Sequence, residues 1–98
     1  MNILDLNENE LERISQIMKA VAHPTRMRIL CLLRGGATNV NDLVGLLGIN
    51  QALVSQQLRI LRLNGLVTTA RHDGFVFYSL DPEKKKYIDR MMGCICNF

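Results

Sequence analysis

Apolar positions recur along this chain at the helical period through four successive stretches, then alternate, then return to the helical period. Across Glu8–Val21, the residues Leu11, Ile14, Ile17, Met18 and Val21 fall on one side and Glu10, Glu12, Arg13 and Lys19 on the other, which predicts an amphipathic helix. The run "AHPTR" interrupts it: Pro24 disfavours helical geometry at His23 and suits the first turn of a new helix. That second helix is predicted to reach about Arg34, where Gly35-Gly36 stops it. Within it Ile29, Leu30 and Leu33 share one face, while Leu32 and the pair Met27 and Cys31 take opposite flanks. A helix apolar over so much of its circumference is expected to be covered on more than one side.

The stretch "TNVNDLVGLLGINQALVSQQLRILRLNGL" predicts two short helices. Val40, Leu43, Val44 and Leu47 make the first, Gly48 supplies a left-handed cap, and Asn50 caps the start of a second that runs over Gln51–Leu63 and ends at Asn64-Gly65. Two short helices joined by about three residues containing a glycine predict a helix-turn-helix. In "VTTARHDGFVFYSL" the alternation of Val67, Thr69 and Arg71, then Phe75, Phe77 and Ser79, brackets the turn Asp73-Gly74 and predicts a hairpin. Pro82 is placed to start a closing helix with apolar Tyr87, Ile88, Met91, Met92 and Ile95. The expected fold is mainly α with a small β-hairpin, in the order α-α-α-α-β-β-α.

Composition narrows this picture. With 98 residues, of which 48% are hydrophobic, the chain fits one domain spanning residues 1–98, and its thin core favours an obligate dimer that shares apolar helices. Twelve Lys and Arg against nine Asp and Glu leave a net charge of +3, which suits a polyanionic partner but leaves the decision to where the charges sit. No run approaches a membrane span, and the acidic start "MNILDLNENELE" lacks the basic region of a secretory signal, so a cytoplasmic protein without a membrane partner is expected. In that compartment three cysteines are not a structural disulfide framework, and any disulfide is conditional.

Over Gln51–Leu63 the core stripe is Val54, Leu58 and Leu61, widened by Leu53 and Ile60. Gln51, Ala52, Ser55, Gln56, Arg59 and Arg62 fall on the outward strip. Gln matches adenine through two hydrogen bonds, Arg matches guanine, and Ser serves bases or phosphates. On an isolated helix such a strip is a solvated polar face. On the second helix of a helix-turn-helix, followed by a hairpin with Arg71 and His72 near its tip, it reads as a surface for double-stranded DNA in a winged helix-turn-helix.

"AHPTRMRILCLL", "VNDLVGLLGINQALVSQQLRILRLNGLV" and "GFVFYSL" together resemble the ArsR/SmtB-type winged-helix repressors across residues 18–80. The resemblance implies a homodimer built from the first and last helices, which binds a pseudo-palindromic operator and releases it when an inducer is sensed. It implies no enzyme activity and no nucleotide cofactor. Gln57 stands where many relatives carry His, and Ala52 where Ser or Thr is common, so the operator sequence does not carry over. Relatives with a metal site before the turn use Cys-x-Cys followed by Asp-Leu, where this chain has Asn39-Val40-Asn41-Asp42-Leu43. Relatives with a site on the closing helix use histidines there, and residues 81–98 contain none; His23 and His72 sit at a helix start and a hairpin tip. Neither typical metal site is present.

The remaining candidates are Cys31, Cys94 and Cys96. The chain resembles most closely the HlyU-, BigR- and SqrR-like thiol-sensing branch, in which a cysteine of the "RILC" helix pairs with one near the chain end. That register implies Cys31 with Cys96 as the redox-sensing pair. Helical geometry leaves Cys94 as a rival, because Cys94 shares the stripe of Tyr87 and Met91 while Cys96 lies toward Met92 and Asp89. A thiolate attacked by peroxide or reactive sulfur is resolved by a second thiol nearby. Other readings are open: a thiophilic metal or metalloid held by the three thiols, inert thiols on a constitutive DNA binder, or a dithiol oxidoreductase using Cys94-Ile95-Cys96, which lacks a Cys-x-x-Cys motif.

Overall fold

The computed structural model describes residues 3–96, without the side chains of residues 3, 94 and 95. A 3-10 turn at Ile3–Asp5 precedes α1 (Glu8–Val21) and α2 (Pro24–Leu33). Then follow β1 (Thr38–Asn39), α3 (Val40–Leu47), α4 (Gln51–Leu63), β2 (Val67–His72), β3 (Phe75–Leu80) and α5 (Lys85–Cys96). The first four helices each begin where a side chain accepts a hydrogen bond from a backbone N–H that the helix cannot satisfy itself. Asn7 accepts from Glu10, His23 from Thr25, Asn39 from Asp42 and Asn50 from Leu53, at 2.8 to 3.1 Å. Gly48 closes α3 in the left-handed region, φ 67° and ψ 28°, where a Cβ is strained. Three residues therefore turn the chain from α3 into α4.

The core gathers where these helices meet the base of the sheet. Ile17 of α1, Ile29 and Leu30 of α2, Leu43 of α3 and Leu58 and Leu61 of α4 close around it, with Leu66 and Leu80 beneath. Ile29, Leu30 and Leu33 are buried, while Met27, Cys31 and Leu32 on the flanks are partly covered, so α2 is enclosed on several sides. No helix among the described residues is long and apolar enough to cross a membrane.

Two features go beyond the predicted order. The sheet has three strands rather than two, in the order β1-β3-β2, with Thr38 opposite Tyr78 and Asn39 opposite Phe77. The two-residue strand owes its existence to pairing with a distant partner, which no local pattern encodes. The closing helix also starts three residues after Pro82. The Asp81 carboxylate accepts from the Glu83 N–H at 2.9 Å and the Asp81 carbonyl from Lys84 and Lys85, so a turn over 82–84 leads into α5. Ile88 and Met92, at successive i,i+4 positions with Cys96, line the side facing α2. Tyr87 and Met91 turn instead toward Ile14 and Ile17 of α1, around an apolar hollow of about 180 Å³ that Arg90 also lines.

Candidate nucleic-acid interface and thiol pair

The inward side of α4 is anchored by Val54, Leu58 and Leu61, each fully buried. That anchoring turns Gln51, Ala52, Ser55, Gln56, Arg59 and Arg62 outward, and all six are exposed. The hairpin carries the second group. Asp73 at φ 50° and Gly74 at φ 82° make a two-residue turn whose twist suits paired strands, with His72 opposite Phe75 across it. Arg71 and His72 are thereby held exposed at its end. His72 Nε2 lies 3.3 Å from the Asp73 carboxylate, and its ring meets Phe77 edge-on at 6.3 Å. The turn residue Asp73 thus adds an anion beside the basic tip, a contact the reading of Arg71 and His72 alone left out.

Gln57 belongs to neither set: it is 5% exposed and lies on the inward side of α4. Its Oε1 accepts from Arg26 Nη1 of α2 at 3.0 Å, and Arg26 Nε donates to the Ala20 carbonyl of α1 at 2.6 Å. Sequence reasoning missed this pair. A signal existed, since residues 54, 57, 58 and 61 have the spacing of one helix face, and a polar residue among three apolar ones there demands a buried partner.

Cys31 and Cys96 are joined by a disulfide that spans 65 residues of sequence, with Cα atoms 5.9 Å apart. Cys31 Sγ also lies 3.8 Å from Met92 Sδ. Cys94 lies in the last turn of α5, but its side chain falls outside the described residues. The stripe of Tyr87 and Met91, on which the rival reading of Cys94 rested, faces α1; the line toward Met92 faces α2 and carries Cys96. Among the described residues no group of three or more His, Cys, Asp or Glu side chains is placed to hold a metal ion.

One turn beyond Cys31, Arg34 Nε donates to Asp89 Oδ1 of α5 at 3.1 Å, and Lys85 Nζ donates to Asp89 Oδ2 at 2.8 Å. The hydrogen bond from Lys85, with Arg34 adding to it and partial burial opposing, holds the Asp89 carboxyl below its ordinary value of 3.8. A lowered carboxyl contributes stability above its unfolded value, and that contribution disappears as the pH falls through the lowered folded value. Asp89→Asn is therefore expected to melt below wild type at pH 7, with the gap closing as the pH drops below about 4. Melting curves of both proteins at pH 7 and pH 3, in low salt, check this; a gap independent of pH contradicts it.

The profile described as "Bacterial regulatory protein, arsR family" matches residues 23–69, from the start of α2 into β2. The biofilm growth-associated repressor of Xylella fastidiosa is 35% identical over 77 residues, covering 79% of this chain and 68% of that protein. The transcriptional activator HlyU of Vibrio cholerae is 34% identical over 97 residues, covering 98% of this chain and 89% of HlyU. The crystal structure of the transcriptional repressor BigR from Xylella fastidiosa superposes with a TM-score of 0.84 at 30% identity, covering 92% of this chain and 90% of BigR. These relatives are transcriptional regulators rather than enzymes. With helix-turn-helix, hairpin and closing helix all in the order those proteins share, this winged-helix chain belongs to the arsR family of bacterial regulatory proteins.

Proposed function

We propose that the chain is a cytoplasmic, homodimeric transcriptional repressor whose affinity for operator DNA is set by the state of the Cys31 and Cys96 thiols. The observation that carries this reading is the meeting of two cysteines 65 residues apart at a Cα separation of 5.9 Å, which lies at the common spacing for a direct disulfide. In the reading face, Gln51, Ser55, Gln56 and Arg59 of α4 enter a major groove, with Ala52 among them, and Arg71 and His72 reach phosphates or the adjacent groove. α1 and α5 supply the dimer contact. Met18 on α1 is 55% exposed, and the hollow between Ile14, Ile17, Tyr87 and Met91 offers apolar surface for a second copy to cover.

With hydrogen peroxide, one thiolate attacks the O–O bond, forming a sulfenic acid and expelling hydroxide, which takes up the proton the thiol released. The second thiolate then attacks that sulfur and expels hydroxide, so two thiols and one peroxide yield one disulfide and two waters. With a polysulfide, the first thiolate attacks an S–S bond, taking one sulfane sulfur as a persulfide while the shortened polysulfide leaves, and the second thiolate displaces hydrosulfide from the persulfide to leave the same disulfide. Closing the bond ties α2 to the end of α5 and shifts the setting of the two reading helices, which must stand about 34 Å apart to meet successive grooves.

The test uses a labelled duplex selected by the reduced protein from a random-sequence pool, with affinity measured before and after peroxide or polysulfide treatment. Oxidation is expected to change the Kd about five- to a hundredfold in wild type and in Cys94→Ser, with no change in Cys31→Ser or Cys96→Ser. Equal affinities of reduced and oxidised wild type overturn the switch, and loss of the response in Cys94→Ser instead of Cys96→Ser overturns the pairing. Mass spectrometry separates the direct disulfide, which has lost two hydrogens, from a bridge that retains added sulfur.

A further inference from the structure

α2 meets a different neighbour at each end. Toward its C-terminus Cys31 is bonded to Cys96, and Arg34, the residue that caps the helix, holds Asp89; both ties run to α5. Toward its N-terminus Arg26 reaches Gln57 in the middle of α4. Five residues separate Arg26 from Cys31, about 7.5 Å along a helix axis. The thiol and the tie to the reading helix therefore sit on one short rigid rod.

The tie at Arg26 is directional. A guanidinium carries only donors, so both atoms that face it must accept, which fixes Oε1 rather than Nε2 of Gln57 toward it. The other acceptor, the Ala20 carbonyl, lies in the last turn of α1, where carbonyls lack helical partners and the negative end of the helix dipole favours a cation. Among the described residues no carboxylate pairs with Arg26. On the same inward face of α4 as Gln57 stand the buried Val54, Leu58 and Leu61, whose hydrophobic stabilisation has no directional component. A hydrogen bond has one, since it weakens steeply with misalignment. Ser55, Gln56 and Arg59, on either side of Gln57 in sequence, are exposed on the reading strip, so any rotation imposed at Gln57 re-aims them.

We infer that Arg26 and Gln57 are the positioning pair through which the state of the Cys31 and Cys96 thiols is passed to α4. The inference rests on the redox reading proposed above and adds to it the residues that carry the coupling. When the bond to Cys96 forms, α2 adjusts against α5, and the guanidinium, held between Ala20 and Gln57, moves α4 with it. Without the acceptor at residue 57, α2 adjusts and α4 stays where its apolar contacts leave it.

The readout is the ratio of oxidised to reduced Kd on one duplex, selected by reduced wild type from a random pool. Wild type is expected to give a ratio about five- to a hundredfold from unity, and Gln57→Met, which keeps the length and loses the acceptor, a ratio within about twofold of unity. Gln57→Glu keeps an acceptor facing Arg26 and is expected to restore the wild-type ratio. A purely structural role changes the two affinities together and leaves their ratio intact, so Gln57→Met with a wild-type ratio overturns the inference while the redox reading stands. A wild-type ratio of unity overturns both. Should Gln57→Met melt below the assay temperature, Arg26→Lys, which keeps the charge but not the fork, serves in its place: a collapsed ratio supports the inference and a wild-type ratio overturns it.

Discussion

Reduction of the bond between Cys31 and Cys96 is expected to lower the unfolding free energy of this protein by about 4 kcal/mol. The cross-link closes a loop of 65 residues, two-thirds of the chain, and so removes from the unfolded ensemble most of the ways its ends can separate. For a domain of this size the whole margin of stability is about 5 to 15 kcal/mol. The oxidised form is thus expected to be the better protected of the two, and the reduced form to unfold at a lower urea concentration. Urea unfolding of the full chain with and without reductant measures the difference. Cys31→Ser is expected to behave identically in both conditions; a wild-type difference below about 1 kcal/mol contradicts the chain-entropy account.

Leu58→Ala is expected to destabilise the protein by about 3 kcal/mol, within the roughly 2 to 5 kcal/mol found for such truncations, because this fully buried side chain fills the space between α4 and the rest of the core. Leu63, five residues further along the same helix, is 75% exposed, and Leu63→Ala is expected to change stability by less than about 0.5 kcal/mol. The two variants delete the same atoms from one helix, so their comparison isolates burial from helix propensity. Denaturant midpoints of both proteins decide it, and a similar loss from each contradicts the assignment of faces on α4. That assignment matters for DNA binding, since the buried leucines are what aim Ser55, Gln56 and Arg59 outward.

The helix-turn-helix was readable because each of its signals is local. Gly48 must adopt a left-handed backbone, Asn50 must cap, and the apolar spacing from Val54 to Leu61 needs only one helix to make sense. The hairpin was readable for the same reason, from Asp73-Gly74 between alternating runs. β1 was not, because Thr38 and Asn39 become a strand only through Tyr78 and Phe77, about forty residues away. The closing helix was readable as a helix but ambiguous in its facing. It is apolar on two sides, toward α1 through Tyr87 and Met91 and toward α2 through Ile88 and Met92, and only packing tells which side carries the thiol. The resemblance to thiol-sensing regulators singled out Cys96, which periodicity alone could not. The ties of Arg26 to Gln57 and of Arg34 to Asp89 escaped notice because a charged residue gives no sign in sequence of the helix its side chain will reach.

Asn39 serves two masters. Its backbone pairs with Phe77 in the middle strand of the sheet, while its side chain holds the first turn of α3 through the Asp42 N–H at 2.8 Å. One residue is at once the last rung of a ladder and the first tread of a helix, and no slack separates the two. The hairpin cannot swing like a gate against the turn motif without breaking one of those bonds, so each copy of the chain offers a template of fixed span. Whatever accommodates sites of different length must lie between copies.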